Sequence, residues 1–117
     1  MTKVYLAPSA QPDNSYAYGG YNEQQICNRI AEAAKAALIR NGFEVMKARE
    51  GLEMEDKVRE SNAWGADVHI PIHTDAGGGQ GTTCFVYPGY KDDKYAKSIY
   101  NAVAAYSPGT DRGIREH

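Results

Sequence analysis

Two residues combine a reactive side chain with a position that could put it to use, Glu23 and His73. Positions 23, 26, 27, 30 and 34 share one face of a helical stretch, and that face is the apolar, core-directed one. A carboxylate therefore begins a stripe expected to be buried. The helix macrodipole by itself favours an acid in a first turn, so a structural role for Glu23 stands beside a chemical one. His73 closes a run of alternating apolar residues and is followed by Thr74, Asp75 and the glycine-rich stretch AGGGQG at 76–81. An imidazole placed there suits a zinc ligand or a general base, and equally a histidine hydrogen-bonded within the fold.

The other reactive side chains are less informative. His69 lies four strand steps from His73, about 13 Å at about 3.3 Å per residue, so the two cannot chelate one ion. We read it as a core histidine or one that supports a ligand. The glycine stretch lacks the Gly-Lys-Ser/Thr ending of a phosphate-binding loop and precedes a strand rather than a helix, which removes the main support for nucleotide binding. Cys27 and Cys84 fall in apolar surroundings without metal-knuckle spacing and are expected to be buried free thiols. Nine Tyr against two Phe suit a surface that grips a polar ligand, although Tyr also serves cores and ordinary surfaces.

These residues need elements to position them. Residues 3–7 (KVYLA) read as a strand closed by Pro8, and the Ser-, Pro-, Asp-, Asn- and Gly-rich stretch to about Gly20 reads as a long, functional loop. Asn22 is a good N-cap for a helix carrying Ile26, Ile30, Ala33, Ala34, Ala37 and Leu38 at helical spacing, and Gly42 stops it. A second strand over 43–48, a more polar helix over 54–64 ending at Gly65, and a third strand over 67–73 follow. In that third strand Val68, Ile70 and Ile72 face one way and His69, Pro71 and His73 the other, with Pro71 removing a ladder donor. A fourth strand over 82–87 and a last helix with Tyr95, Ile99, Val103 and Tyr106 on one side complete the order β-α-β-α-β-β-α. Such alternation predicts an α/β fold, a mostly parallel twisted sheet with helices on both faces and a site at the C-terminal ends of the strands.

Composition narrows the function classes. The 117 residues suit one domain, residues 1–117, with a single core. A formal net charge of -2 and a pI near 5.9 give no electrostatic footprint for nucleic acid or an anionic membrane. The apolar run from Val4 to Ala10 is interrupted by Pro8 and is too short for a signal peptide or a membrane span, so neither membrane insertion nor an export signal is expected of the chain as given.

Four stretches together resemble the zinc-dependent N-acetylmuramoyl-L-alanine amidases, the family that includes spore-former and phage cell-wall lytic enzymes. They are VYLAPSAQPDN after the first strand, GGYNEQQICNRIA opening the first helix, SNAWGADVHIPIHTDAGGGQG around the third strand, and TDRGIRE near the end. The resemblance covers nearly the whole chain. It implies that Glu23 and His73 are zinc ligands and that peptidoglycan is the substrate. The implied reaction is hydrolysis of the bond joining the lactyl group of N-acetylmuramic acid to L-alanine by a zinc-activated water, with a carboxylate shuttling the proton.

The chain departs from the family pattern at three places. Where most relatives carry a ligand His in a P-G-H-G-G stretch, it reads Pro8-Ser9-Ala10-Gln11, and Gln11 is the nearest polar candidate for the third ligand, although an amide oxygen is a poorer zinc donor than imidazole. Asp75 stands in place of the usual Asn two residues after the ligand His. Relatives continue past R-G-I-R-E into a strand bearing the catalytic Glu, whereas this chain stops at His117, so a domain truncated at its C-terminus is expected, with no catalytic residue assigned and Glu116 and His117 read as tail residues. The resemblance implies action at the cell wall, with the protein held in the cytoplasm until lysis if it works as a phage lysin does.

A second reading keeps the fold without turnover, as a peptidoglycan-binding or regulatory module, because the terminal Glu is missing. A third, a receiver-like doubly wound domain, would need clustered acids after the first strand, where the chain offers only Asp13.

Overall fold

A computed structural model describes residues 1–9, 20, 22–74, 81–106 and 110–116. The chain forms two compact units, residues 1–74 and 75–117. The first contains β1 (Lys3–Pro8), α1 (Glu23–Arg40), β2 (Glu44–Lys47), α2 (Met54–Trp64) and β3 (Val68–Ile72), and the second β4 (Gly81–Val86), α3 (Lys94–Tyr106) and β5 (Thr110–Glu116). The α/β class, the parallel pairing and the alternation of strands with helices are as the sequence predicts.

In the first unit the strands form a parallel sheet in the order β2-β1-β3, with Val4 opposite both Val45 and Val68. The pleat of β1 sends alternate residues to opposite faces. Val4 and Leu6 pack against Ala31, Ala34 and Leu38 of α1 and against Val68, Ile70 and Ile72 of β3. Tyr5 and Ala7 pack on the other face with Ala48, Met46, Leu52, Trp64 and Ala66. Helices therefore cover both faces of this sheet, and β1, covered on both, is its most buried strand.

The face of α1 is rotated from the one its isoleucines suggest. The buried positions are Glu23, Cys27, Asn28 and Ala31, while Ile30 is 45% exposed. A small side chain lets the helix approach β1 closely, so Ala31 takes the contact and the bulkier Ile30 is left outside. At its start Asn22 and Gln25 form a reciprocal capping box, each side chain 2.9 Å from the other's backbone N–H. At its end Asn41 caps the helix and Gly42 adopts a positive φ of 88°.

Helix α2 is amphipathic in an unusual sense, because its buried residues are Lys57 and Ser61. Polar bonds tie it to β1. Tyr5 donates to Glu60 Oε1 at 2.7 Å, and Lys3 Nζ donates to the Trp64 carbonyl at 3.1 Å. Burial first, then Glu60, pushes the Tyr5 hydroxyl well above its usual pKa, so it remains a donor at neutral pH. In β3, Pro71 lies opposite Ala7. Ser9 N donates to the Ile72 carbonyl, so the Ile72 backbone faces β1 and the neighbouring Pro71 nitrogen faces away. Its missing donor costs no bond to β1, and the awkward proline fits at the end of the strand order.

The second unit is a β-α-β unit in which β4 pairs with β5 in parallel, with a register shift between Thr82 and Cys84. Asp93 accepts from the Ala96 N–H at 3.0 Å and so caps the first turn of α3. The Tyr100 hydroxyl accepts from Gly113 N at 2.8 Å, tying α3 to β5. Four expectations change here, the first being the element order, which ends on strand β5 rather than on the last helix. Glu116 is no tail residue, since it ends β5 and accepts from Gly89 N at 3.2 Å. Cys84 is only half-buried, unlike Cys27. Val103 and Tyr106 are 48% and 92% exposed, and Ala104 is the buried position of α3. Among the described residues, no helix is long and apolar enough to cross a membrane.

Candidate functional site

Parallel pairing brings the C-terminal ends of β1 and β3 side by side, with Pro8 opposite Ile72. A helix that follows a strand in such a unit starts at the same edge, which is where sites form in open α/β sheets. The residues just beyond the strands, Ser9, His73 and Thr74, therefore meet the first turn of α1, where the capping box sets the position of Glu23.

Glu23 is 3% exposed. Its carboxylate is satisfied by specific donors, Ser9 Oγ to Oε2 at 2.7 Å and Thr74 N to Oε1 at 3.0 Å, with the Thr74 hydroxyl at 3.5 Å from Oε1. Together with the positive end of the α1 dipole, these offset the cost of burying the charge. His73 Nδ1 lies 3.9 Å from Oε1, and its side chain is 54% exposed.

That separation is too long for a hydrogen bond. Two donors at about 2.0–2.1 Å from one tetrahedral ion sit about 3.3 Å apart, so a small turn of the exposed imidazole would let both reach the same cation. A buried, anchored carboxylate beside a half-exposed imidazole is a donor pair suited to zinc. The sequence-derived pair is thus brought together. Gln11, the third candidate, and Asp75 lie outside the described residues, as do the long loop over 10–19, most of the glycine stretch and His117. Among the described residues, no group of three or more His, Cys, Asp or Glu side chains could hold a metal ion.

Beneath the pair lie groups that support rather than react. Cys27, one turn after Glu23, is fully buried, and burial chiefly pushes its thiol pKa up. The charge of Glu23 adds to this, while Lys57 and the backbone N–H groups of Ser9 and Thr74 oppose it. The thiol stays protonated at neutral pH and is a poor metal donor in that form. Lys57, 6% exposed, donates from Nζ to the Pro8 carbonyl at 2.6 Å, and burial lowers its pKa despite Glu53 and Cys27. His69, half-buried, stacks on Tyr5 with ring centroids 5.1 Å apart, and burial, then Lys57, lowers its pKa.

Ser9 and Lys57 are the supporting residues that pattern reading passes over. A polar residue directly after a buried strand and a Lys in register with Ser61 and Trp64 on the inner side of α2 are the signals that point to them. Elsewhere, an open groove of about 470 Å³ is lined by Gln25, Asn28, Arg29, Glu32, Lys47 and Glu50 and contains neither Glu23 nor His73. Lys47 there is paired with Glu32 at 3.1 Å and with Asn28 at 3.0 Å. The buried carboxylate and the imidazole lie at the strand ends instead.

Comparison with known proteins agrees with this architecture. A family model described as N-acetylmuramoyl-L-alanine amidase matches residues 6–117. The chain is 28% identical over 121 residues to the sporulation-specific N-acetylmuramoyl-L-alanine amidase of Bacillus subtilis (strain 168), covering 97% of this chain and 48% of that protein. It is 28% identical over 95 residues to the N-acetylmuramoyl-L-alanine amidase CwlM of Bacillus licheniformis, covering 76% of this chain and 38% of that one. The chain thus spans less than half the length of either curated relative. Its fold matches the solved structure of the N-acetylmuramoyl-L-alanine amidase AmiC2 of Nostoc punctiforme with a TM-score of 0.79 at 19% identity, over 99% of this chain and 69% of that one. Since the family match runs from within β1 to the last residue, the chain belongs to the N-acetylmuramoyl-L-alanine amidase family.

Proposed function

We propose that this chain hydrolyses the amide bond between the lactyl group of N-acetylmuramic acid and L-alanine in peptidoglycan, with Glu23 and His73 as protein ligands of a zinc ion and Gln11 as the candidate third. The observation that carries the reading is the 3.9 Å approach of His73 Nδ1 to the buried Glu23 carboxylate. Two residues 50 positions apart in sequence, drawn from a helix start and a strand end, converge there with complementary donor chemistry. Family membership supplies the reaction class.

When bound, zinc supplies a water acidified toward a pKa of about 7 and a Lewis acid for the scissile carbonyl. The residues of the chain do the positioning. Glu23 would offer its carboxylate from an anchored, buried position, and His73 its imidazole from the exposed side. Ser9 and Thr74 hold the carboxylate in one orientation. The site is read as acting at the cell wall.

The test is metal content together with wall digestion. Purified wild-type chain should carry about one zinc per molecule at neutral pH, and His73→Ala or Glu23→Gln should lose most of it. Wild type should also release muramic acid from L-alanine on isolated cell walls. Zinc well below that stoichiometry would count against the metal site, and sedimentation with walls without release would favour a binding module instead.

A further inference from the structure

The two oxygens of Glu23 have different surroundings. Oε2 accepts from Ser9 Oγ at 2.7 Å, deep in the fold, whereas Oε1 is the oxygen 3.9 Å from His73 Nδ1 and also accepts from Thr74 N at 3.0 Å. A carboxylate free to turn can bind a metal through one oxygen or both, and which occurs decides how many coordination positions remain for water and substrate. We propose that Ser9 is a positioning residue whose hydroxyl holds Oε2, so that Glu23 meets zinc through Oε1 alone. This rests on the metal reading given above.

The geometry of Ser9 supports the assignment. It is 1% exposed, so its hydroxyl has no bulk water to turn to, and an ionised carboxylate can only accept, which makes Ser9 the donor. A hydrogen bond of 2.7 Å to a charged oxygen is of the short, charge-assisted kind. The backbone that carries the hydroxyl is clamped from two directions. Ser9 N donates to the Ile72 carbonyl of β3 at 2.9 Å, and the adjoining Pro8 carbonyl accepts from Lys57 Nζ of α2 at 2.6 Å. With that peptide held by the sheet on one side and a buried lysine on the other, a single torsion remains to aim the hydroxyl. Groups that hold a metal ligand in this way generally influence affinity and coordination as well as local stability.

The test compares wild type, Ser9→Ala and Ser9→Thr by competition with a chromophoric zinc chelator, by the visible spectrum of the cobalt(II)-loaded chains, and by melting of the metal-free chains. Ser9→Ala should weaken zinc binding by about 10- to 100-fold. Its cobalt absorption should become weaker than that of wild type, as the released carboxylate binds through both oxygens and the coordination number rises. Ser9→Thr, which keeps the hydroxyl, should restore most of the affinity and the wild-type spectrum. If Ser9→Ala melts early, the cobalt spectrum taken well below its melting range still reads the coordination. An unchanged cobalt spectrum in Ser9→Ala, with or without a loss of affinity, would overturn the assignment while leaving the zinc site standing. A wild-type chain that binds neither metal would remove the site and the role of Ser9 together.

Discussion

Partners decide what burial does to the ionisable side chains of the first unit. Glu23 is buried with Ser9 and Thr74 donating to its carboxylate at the N-terminus of a helix, contacts that favour a charge. His69 is half-buried against Tyr5 with Lys57 nearby, and both burial and that cation lower its pKa from 6.5. As pH falls below this value the unfolded chain takes up a proton that the folded chain refuses. The contribution of His69 to stability is therefore complete above pH 6.5 and declines as pH falls toward the lower folded value. His69→Phe keeps a flat ring on Tyr5 and removes the titration. Urea midpoints at about pH 7.5 and about pH 5 should accordingly fall less in the variant than in wild type. Equal declines would assign the acid sensitivity to other groups. At this scale Glu23 and His73 were recognisable from residue type and place in the pattern, whereas Ser9 was not, because a serine after a proline looks like any loop residue until its burial is known.

At the scale of elements, the start of α1 matters most, because Asn22 both caps the helix and immediately precedes Glu23. Asn22→Ala removes the Oδ1 that accepts from Gln25 N and keeps the backbone N–H that donates to the Gln25 side chain, so one half of the capping box is lost. It should cost about 1 kcal/mol in chemical denaturation, and zinc affinity should fall with it as the first turn frays. A variant with full stability and full zinc affinity would show that packing alone holds this turn. The helix itself was evident from Asn22, the apolar spacing and Gly42, but its buried face was not, since the contact with β1 selects Ala31 over Ile30 by size. The 54–64 helix was legible to the residue. Strand β5 was not read as a strand: Asp111, Arg112, Gly113, Arg115 and Glu116 leave Ile114 as its one apolar side chain, so no period-two alternation exists to detect. Backbone pairing with β4 and the Tyr100 bond to Gly113 N define it instead.

For the whole molecule, the clearest consequence of a metal between Glu23 and His73 is linkage. A ligand bound only by the folded state stabilises it by about 2.7 kcal/mol at a free concentration one hundred times its dissociation constant. For a chain of this size that corresponds to a rise in Tm of roughly 10 °C. Zinc added to metal-free protein should produce such a rise, a chelator should reverse it, and His73→Ala should abolish it in differential scanning calorimetry. An equal zinc response in wild type and His73→Ala would move the metal elsewhere.

The order of its residues alone determined that this chain alternates strands with helices, that a carboxylate opens the first helix, that an imidazole closes the third strand, and that four stretches carry an amidase resemblance. Those are local properties, set by period, caps and residue type. The tertiary structure decided that Glu23 and His73 lie within 3.9 Å, that Ser9 and Thr74 donate to different oxygens of the carboxylate, and that Lys57 grips the end of β1. The difference has one physical cause. Contacts between residues dozens of positions apart depend on strand order and register, and those follow from packing the whole sheet rather than from the preference of any single segment.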